Sequence, residues 1–125
     1  KEIEFAGGAA VNARGQRETL EGALRNLLDN ALRVTPVGGT IRVEVGDGPI
    51  IRVVDQGPGI AAGEEAAIFH RFHQGDRKSR GTAGLGLAIV KRTMELHGGI
   101  ARAVNMPAGG ACFSLVFSGS RPVGR

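Results

Sequence analysis

Apolar residues recur along this chain with two different periods, and the switches between them mark its elements. Lys1–Phe5 alternates polar and apolar positions as a strand does, and Ala9–Ala13 is a second short strand candidate. Arg14-Gly-Gln reads as a turn. From about Glu18 to Arg33, Leu20, Leu24, Leu27, Leu28 and Ala31 fall at helical spacing, and Pro36 with Gly38-Gly39 stops that helix. Thr40–Val45 and Ile50–Val54 then alternate as strands around Gly46-Asp-Gly48, a hairpin signal. Gln56 to Ala83 changes character: it carries Gly57, Pro58, Gly59, Gly63, Gly75 and Gly81, with one helix-like piece at Glu64–Phe72. Such a glycine-studded stretch inside a small domain predicts a functional loop or lid. Leu85–His97 reads as a second long helix stopped by Gly98-Gly99. Two more strands, Ile100–Val104 and Ala111–Phe117, are joined by the turn around Pro107-Ala-Gly-Gly110. This order predicts an α/β two-layer sandwich, with helices packed on one face of a mixed sheet.

Composition narrows the picture. At 125 residues the chain fits one domain, residues 1–118 with a lid at about 61–83, followed by a polar tail at 119–125. With five Phe and neither Trp nor Tyr, the core must be built from Val, Ile, Leu and Ala. The 21 glycines far exceed the average of about 7%, which points to positive-φ turns or close approach of backbone to a ligand. The net charge of +4 suits an anionic partner. Lys and Arg are scattered without interleaved aromatics, so no nucleic acid is expected, and a small polyphosphate needs only a few of these charges. The single cysteine, Cys112, is expected in a buried strand and fits a reducing, cytoplasmic setting. No apolar run approaches the roughly 20 residues that span a bilayer, so this segment is expected to make no membrane contact. The chain opens inside a strand pattern, which predicts a piece of a longer protein.

Three constellations carry candidate chemistry. On the first helix Asn26, Asp29, Asn30 and Arg33 fall together beside the leucine stripe, at about 100° per residue. A carboxamide oxygen is a neutral, hard ligand that suits Mg²⁺, and Arg33 one turn on is placed to meet phosphate. Read alone, the stripe is equally a solvated polar face. Asp55-Gln-Gly-Pro-Gly-Ile60 follows the apolar strand directly. Its Asp either accepts a hydrogen bond from an exocyclic amine such as adenine N6 or makes a plain Asx turn. Gly81-Thr-Ala-Gly84-Leu-Gly86-Leu87 opens the second helix, and N–H groups at a glycine-rich helix start form an anion site. It is neither a dinucleotide fingerprint nor a Walker loop.

Asn26…Asn30, Asp55-x-Gly57-x-Gly59, Phe69…Phe72 and Gly84-x-Gly86, in this order, resemble the N box, first glycine box, F box and second glycine box of histidine kinases. The resemblance runs from about residue 18 to Phe117. It implies the left-handed α/β sandwich (Bergerat-type, with a mostly antiparallel sheet and an ATP lid) shared with gyrase, heat-shock chaperone and mismatch-repair ATPases. It also implies roles. Asn30 with Asn26 would hold Mg²⁺ against the ATP phosphates, and Arg33 would contact phosphate. Asp55 would bind adenine N6, with Gly57, Gly59 and Ile60 shaping the base pocket. Phe69 and Phe72 would anchor the lid, and Gly84, Leu85, Gly86 and Leu87 would lie against the phosphates. Lys78 and Arg80 would either add phosphate contacts or stay solvated. Val34 replaces the aromatic or His residue that commonly follows the position of Arg33, so a contact to the nucleotide would be missing.

The resemblance favours a sensor histidine kinase that transfers the γ-phosphoryl group to a His on a dimerisation domain outside this chain, for relay to a response regulator receiver domain. The alternative is an ATP hydrolase or an anti-sigma-type serine kinase. Those relatives carry a Glu as general base where Asn26 stands, and Asn26 accepts no proton at neutral pH. Acceptor histidines of the family precede Glu or Asp, whereas His70, His73 and His97 precede Arg71, Gln74 and Gly98. His97 is expected to cap or pack at a helix end.

Overall fold

The computed structural model describes residues 1–6, 17–45, 50–70 and 83–117, with side-chain surroundings from Glu21 onward in the first helix and from Gly86 onward in the second. In chain order these form β1 (Glu2–Ala6), α1 (Arg17–Val34), β2 (Thr40–Val45), β3 (Ile50–Val54), a 3₁₀ turn (Ala67–Phe69), α2 (Ala83–Leu96), β4 (Ile100–Asn105) and β5 (Ala111–Val116). The five strands make one sheet in the order β1-β2-β3-β5-β4. Only β1 and β2 run parallel; the other three pairings are antiparallel.

The core follows from the two periods. Register aligns Val43, Val53, Phe113 and Ala103 in one row across four strands, and all are buried. Ala23, Leu27 and Ala31 of α1 and Leu87, Val90 and Met94 of α2 cover that face at helical spacing. Alternation sends Arg42, Arg52, Ser114 and Arg102 to the opposite face, where Arg42 Nε pairs with Glu44 at 3.2 Å. A helix layer on one face of a mixed sheet is the architecture expected from the pattern, and its mostly antiparallel pairing is what the family resemblance implies.

Two local features depart from the simple pattern. Lys1–Phe5 alternates as a strand and forms β1, yet its Phe5 is 75% exposed. The parallel register puts Ile3 and Phe5 beside Ile41 and Val43, at the edge of the sheet. The helix-like piece Glu64–Phe72 reduces, in its described part, to turns around Ala67–Phe69. Most of its bonds are of the i→i+3 kind, such as Phe69 N–H to Ala66 and His70 N–H to Ala67. Burying Ile68 and Phe69 side by side fixes this segment better than a stripe would, and so short a helix does not offset its own nucleation cost. The strand candidate Ala9–Ala13, the turn Gly46-Asp-Gly48, Phe72, His73, Lys78, Arg80 and the C-terminal tail lie outside the described residues.

Candidate functional site

The polar stripe of α1 and the start of α2 meet at one cleft. It has a volume of about 580 Å³ and is bordered by Asn26, Asp29, Asn30, Arg33, Gly86 and Leu87. Asn30 is buried, Asn26 half-buried, and Asp29 and Arg33 exposed, so the cleft grades from a dry carboxamide end to a wet charged end. Leu87 borders the cleft but is also a core residue, 2% exposed. Helix α2 begins at Ala83, two residues before the predicted start, which places Gly84, Leu85 and Gly86 in its first turn. The first four N–H groups of a helix have no partner inside it, so this turn presents donors. A Cβ placed on Gly86 would lie 3.9 Å from Asn26 Oδ1, an ordinary contact. Among the described residues nothing bars a methyl group there. Among the described residues no three His, Cys, Asp or Glu side chains converge as a metal cage. Two carboxamides one turn apart instead suit a metal shared with water and phosphate oxygens, the habit of Mg²⁺.

The loop after β3 is fixed almost wholly by side chains. Asp55 is buried, and its Oδ1 accepts from the N–H of Gly57 at 2.9 Å and of Ala111 at 3.1 Å. The first bond is the Asx turn, so that reading of the motif is realised. Thr35, buried just beyond α1, accepts the Gln56 N–H on its Oγ1 at 3.1 Å, and Gln56 Oε1 accepts the Thr40 N–H at 2.8 Å. At the loop's far end Asn105 Oδ1 accepts the Ile60 N–H at 2.7 Å while Asn105 Nδ2 donates to the Ile60 carbonyl at 2.9 Å.

The glycines here have internal reasons. A Cβ on Gly57 would come within 2.7 Å of the Val34 side chain. Gly59 has φ +86°, and a Cβ there would come within 2.7 Å of Asn105 Oδ1. Gly110 would bring one within 2.1 Å of the Asp55 carbonyl oxygen. Phe69 is buried edge-on against Phe113, with centroids 6.1 Å apart and planes at 79°. His97 follows α2, where its Nδ1 lies 2.8 Å from the Thr93 carbonyl oxygen. Thr35 and Asn105 do not stand out in the sequence, and neither carries a signal of its distant partner.

This arrangement defines a class. The chain belongs to the histidine kinase-, DNA gyrase B- and HSP90-like ATPase family, whose model matches residues 15–120. Within that family it is an ATP-binding catalytic domain of the sensor histidine kinase type. It is 41% identical over 115 residues to the sensor histidine kinase TmoS of Ectopseudomonas mendocina, covering 86% of this chain and 12% of TmoS. The mycobacterial sensor histidine kinase MprB superposes with a TM-score of 0.80 at 35% identity, covering 92% of this chain and 80% of that one. Full-length ShkA, solved in complex with AMPPNP, superposes with a TM-score of 0.73 at 30% identity, covering 98% of this chain and 27% of ShkA. The chain thus spans a small part of the full-length sensor proteins it matches. No helix among the described residues is long and apolar enough to cross a membrane.

Proposed function

We propose that the chain binds Mg·ATP between α1 and α2 and presents the γ-phosphoryl group to a histidine on a dimerisation domain of a longer protein, from which a response regulator receiver domain would take it. The observation that carries this reading is Asn26 in the cleft beside Asn30. A hydrolase or serine kinase needs a proton acceptor there to activate water or a hydroxyl. A neutral imidazole is already nucleophilic, so transfer to it depends on positioning and charge neutralisation.

The residues divide the work by position. The carboxamide oxygens of Asn30 and Asn26 would hold the metal, which when bound neutralises phosphate charge. Arg33, at the wet end, and the N–H groups of Gly84, Leu85 and Gly86 would orient the phosphates, with Leu87 closing the apolar floor. Asp55, whose Oδ1 holds two backbone N–H groups, would bind adenine N6. Gly57, Gly59 and Ile60 would form the wall of the base pocket. Phe69, locked onto Phe113, would anchor one end of a lid whose other aromatic is Phe72.

The chain alone is expected to bind Mg·ATP, to hydrolyse it very slowly, and to acquire no acid-labile label from γ-labelled ATP. Asn30→Ala should weaken the metal-dependent part of binding roughly tenfold or more in calorimetry with and without Mg²⁺. Rapid steady-state hydrolysis would overturn the kinase reading and point to Asp29, which borders the same cleft, as a base.

A further inference from the structure

The loop from Asp55 to Ile60 contains no helix or strand, so no ladder fixes its shape. Its two ends are nevertheless tied to one rung of the sheet. Register pairs Asn105 of β4 with Ala111 of β5. Asp55, next in line after β3, donates its N–H to the Ala111 carbonyl at 2.9 Å and receives the Ala111 N–H on Oδ1. The rung therefore reads Asp55, Ala111, Asn105, and its two outer members hold the start and the finish of the loop.

At the finish, Asn105 acts as a strand would. It accepts from one backbone group of Ile60 and donates to the other, at 2.7 and 2.9 Å. Two bonds from one planar carboxamide fix both the distance and the tilt of the peptide groups flanking Ile60. Asp at this position accepts but cannot donate when ionised. The backbone around Gly59 is fitted to this side chain, since any Cβ there would come within 2.7 Å of Asn105 Oδ1.

We propose that Asn105 is a positioning residue for base recognition: by clamping Ile60 it sets the curvature of the Asp55–Ile60 loop, and the preference of the site for adenine over guanine depends on that clamp. The proposal rests on the assignment of this loop to the base. Without Asn105, Asp55 keeps its bonds to Ala111 and Gly57, but Gly59 and Ile60 lose their fixed distance from it. The phosphate end of the cleft, on α1 and α2, is built without Asn105.

The test is calorimetric binding of Mg·ADP, Mg·GDP and Mg·pyrophosphate to the 125-residue chain and to three variants, Asn105→Ala, Asn105→Asp and Asp55→Asn. The ADP-over-GDP preference should fall on the order of tenfold in both Asn105 variants, with pyrophosphate binding unchanged. Asp55→Asn calibrates the base reading. If it abolishes the preference while both Asn105 variants retain it, the clamp is refuted and the base reading stands. If Asp55→Asn also retains the preference, the base reading falls and takes the clamp with it. Equal weakening of ADP, GDP and pyrophosphate would show a general structural role and overturn the proposal. Should Asn105→Ala show no cooperative thermal unfolding, the nearly isosteric Asn105→Asp decides the outcome.

Discussion

At the scale of single residues, two kinds of glycine share this site. Gly57, Gly59 and Gly110 are glycines because Val34, Asn105 and the Asp55 carbonyl occupy the space a methyl group would need. Gly86 meets only an ordinary contact, with Asn26, among the described residues. Cys112 answers to burial alone. Neighbouring Phe113 points to the helices, while Cys112 lies on the other face with its Sγ 3.8 Å from Ser114 Oγ. Burial pushes its thiol above the ordinary value of 9.0. A raised thiol pKa means the folded state holds its proton more tightly. Its contribution to stability is therefore complete below about pH 9 and is lost as pH rises through the folded value. Iodoacetamide at pH 8 should alkylate Cys112 more slowly in the folded chain than in urea, and Cys112→Ala should flatten the alkaline decline in stability. Equal alkylation rates in the two states would contradict the burial.

At the scale of elements, the end of α1 joins the two halves of the site. Val34 packs on Gly57 and Thr35 accepts the Gln56 N–H, so the helix that carries Asn26, Asn30 and Arg33 is tied to the loop that carries Asp55. Thr35→Val keeps the shape but leaves that N–H without its acceptor, at a cost of about 1–3 kcal/mol. Calorimetric melting should show Tm falling by roughly 3–10 °C, whereas Thr35→Ser should stay near the parent. An unchanged Tm in Thr35→Val would mean that solvent replaces the hydroxyl. Elements are legible in the sequence where the period is long. The stripe from Leu20 to Ala31 and the alternation in β2 to β5 each place apolar residues on one face and leave little choice. Phe5 departs from its pattern because alternation specifies which residues share a face and says nothing of whether the helices reach it. Ala67–Phe69 falls short of a full helix because its burial comes from two adjacent residues.

At the scale of the whole molecule, the sheet collects residues that are far apart in sequence and brings them to one end. The residue types of the proposed nucleotide site stand out in the sequence because each box carries its own local chemistry: carboxamides one helical turn apart, an Asp closing an apolar strand, glycines opening a helix. What holds the boxes in place is not legible. The two bonds between Asn105 and Ile60 span 45 positions and the one from the Gln56 N–H to Thr35 Oγ1 spans 21, and only the strand order brings these partners together. That scaffolding has a consequence for how the molecule exchanges hydrogen with solvent. The N–H groups of Gln56, Gly57 and Ile60 are bonded to side chains of three different elements, on α1's end, β3's end and β4. Deuterium should therefore enter this irregular loop at rates close to those of the neighbouring strands, and far more slowly than at the equally irregular Ala61–Gly63 that follows. Mass-spectrometric exchange would read a protected island in a stretch that has neither helix nor strand, and rapid labelling of these three amides would show that the ties do not persist in solution.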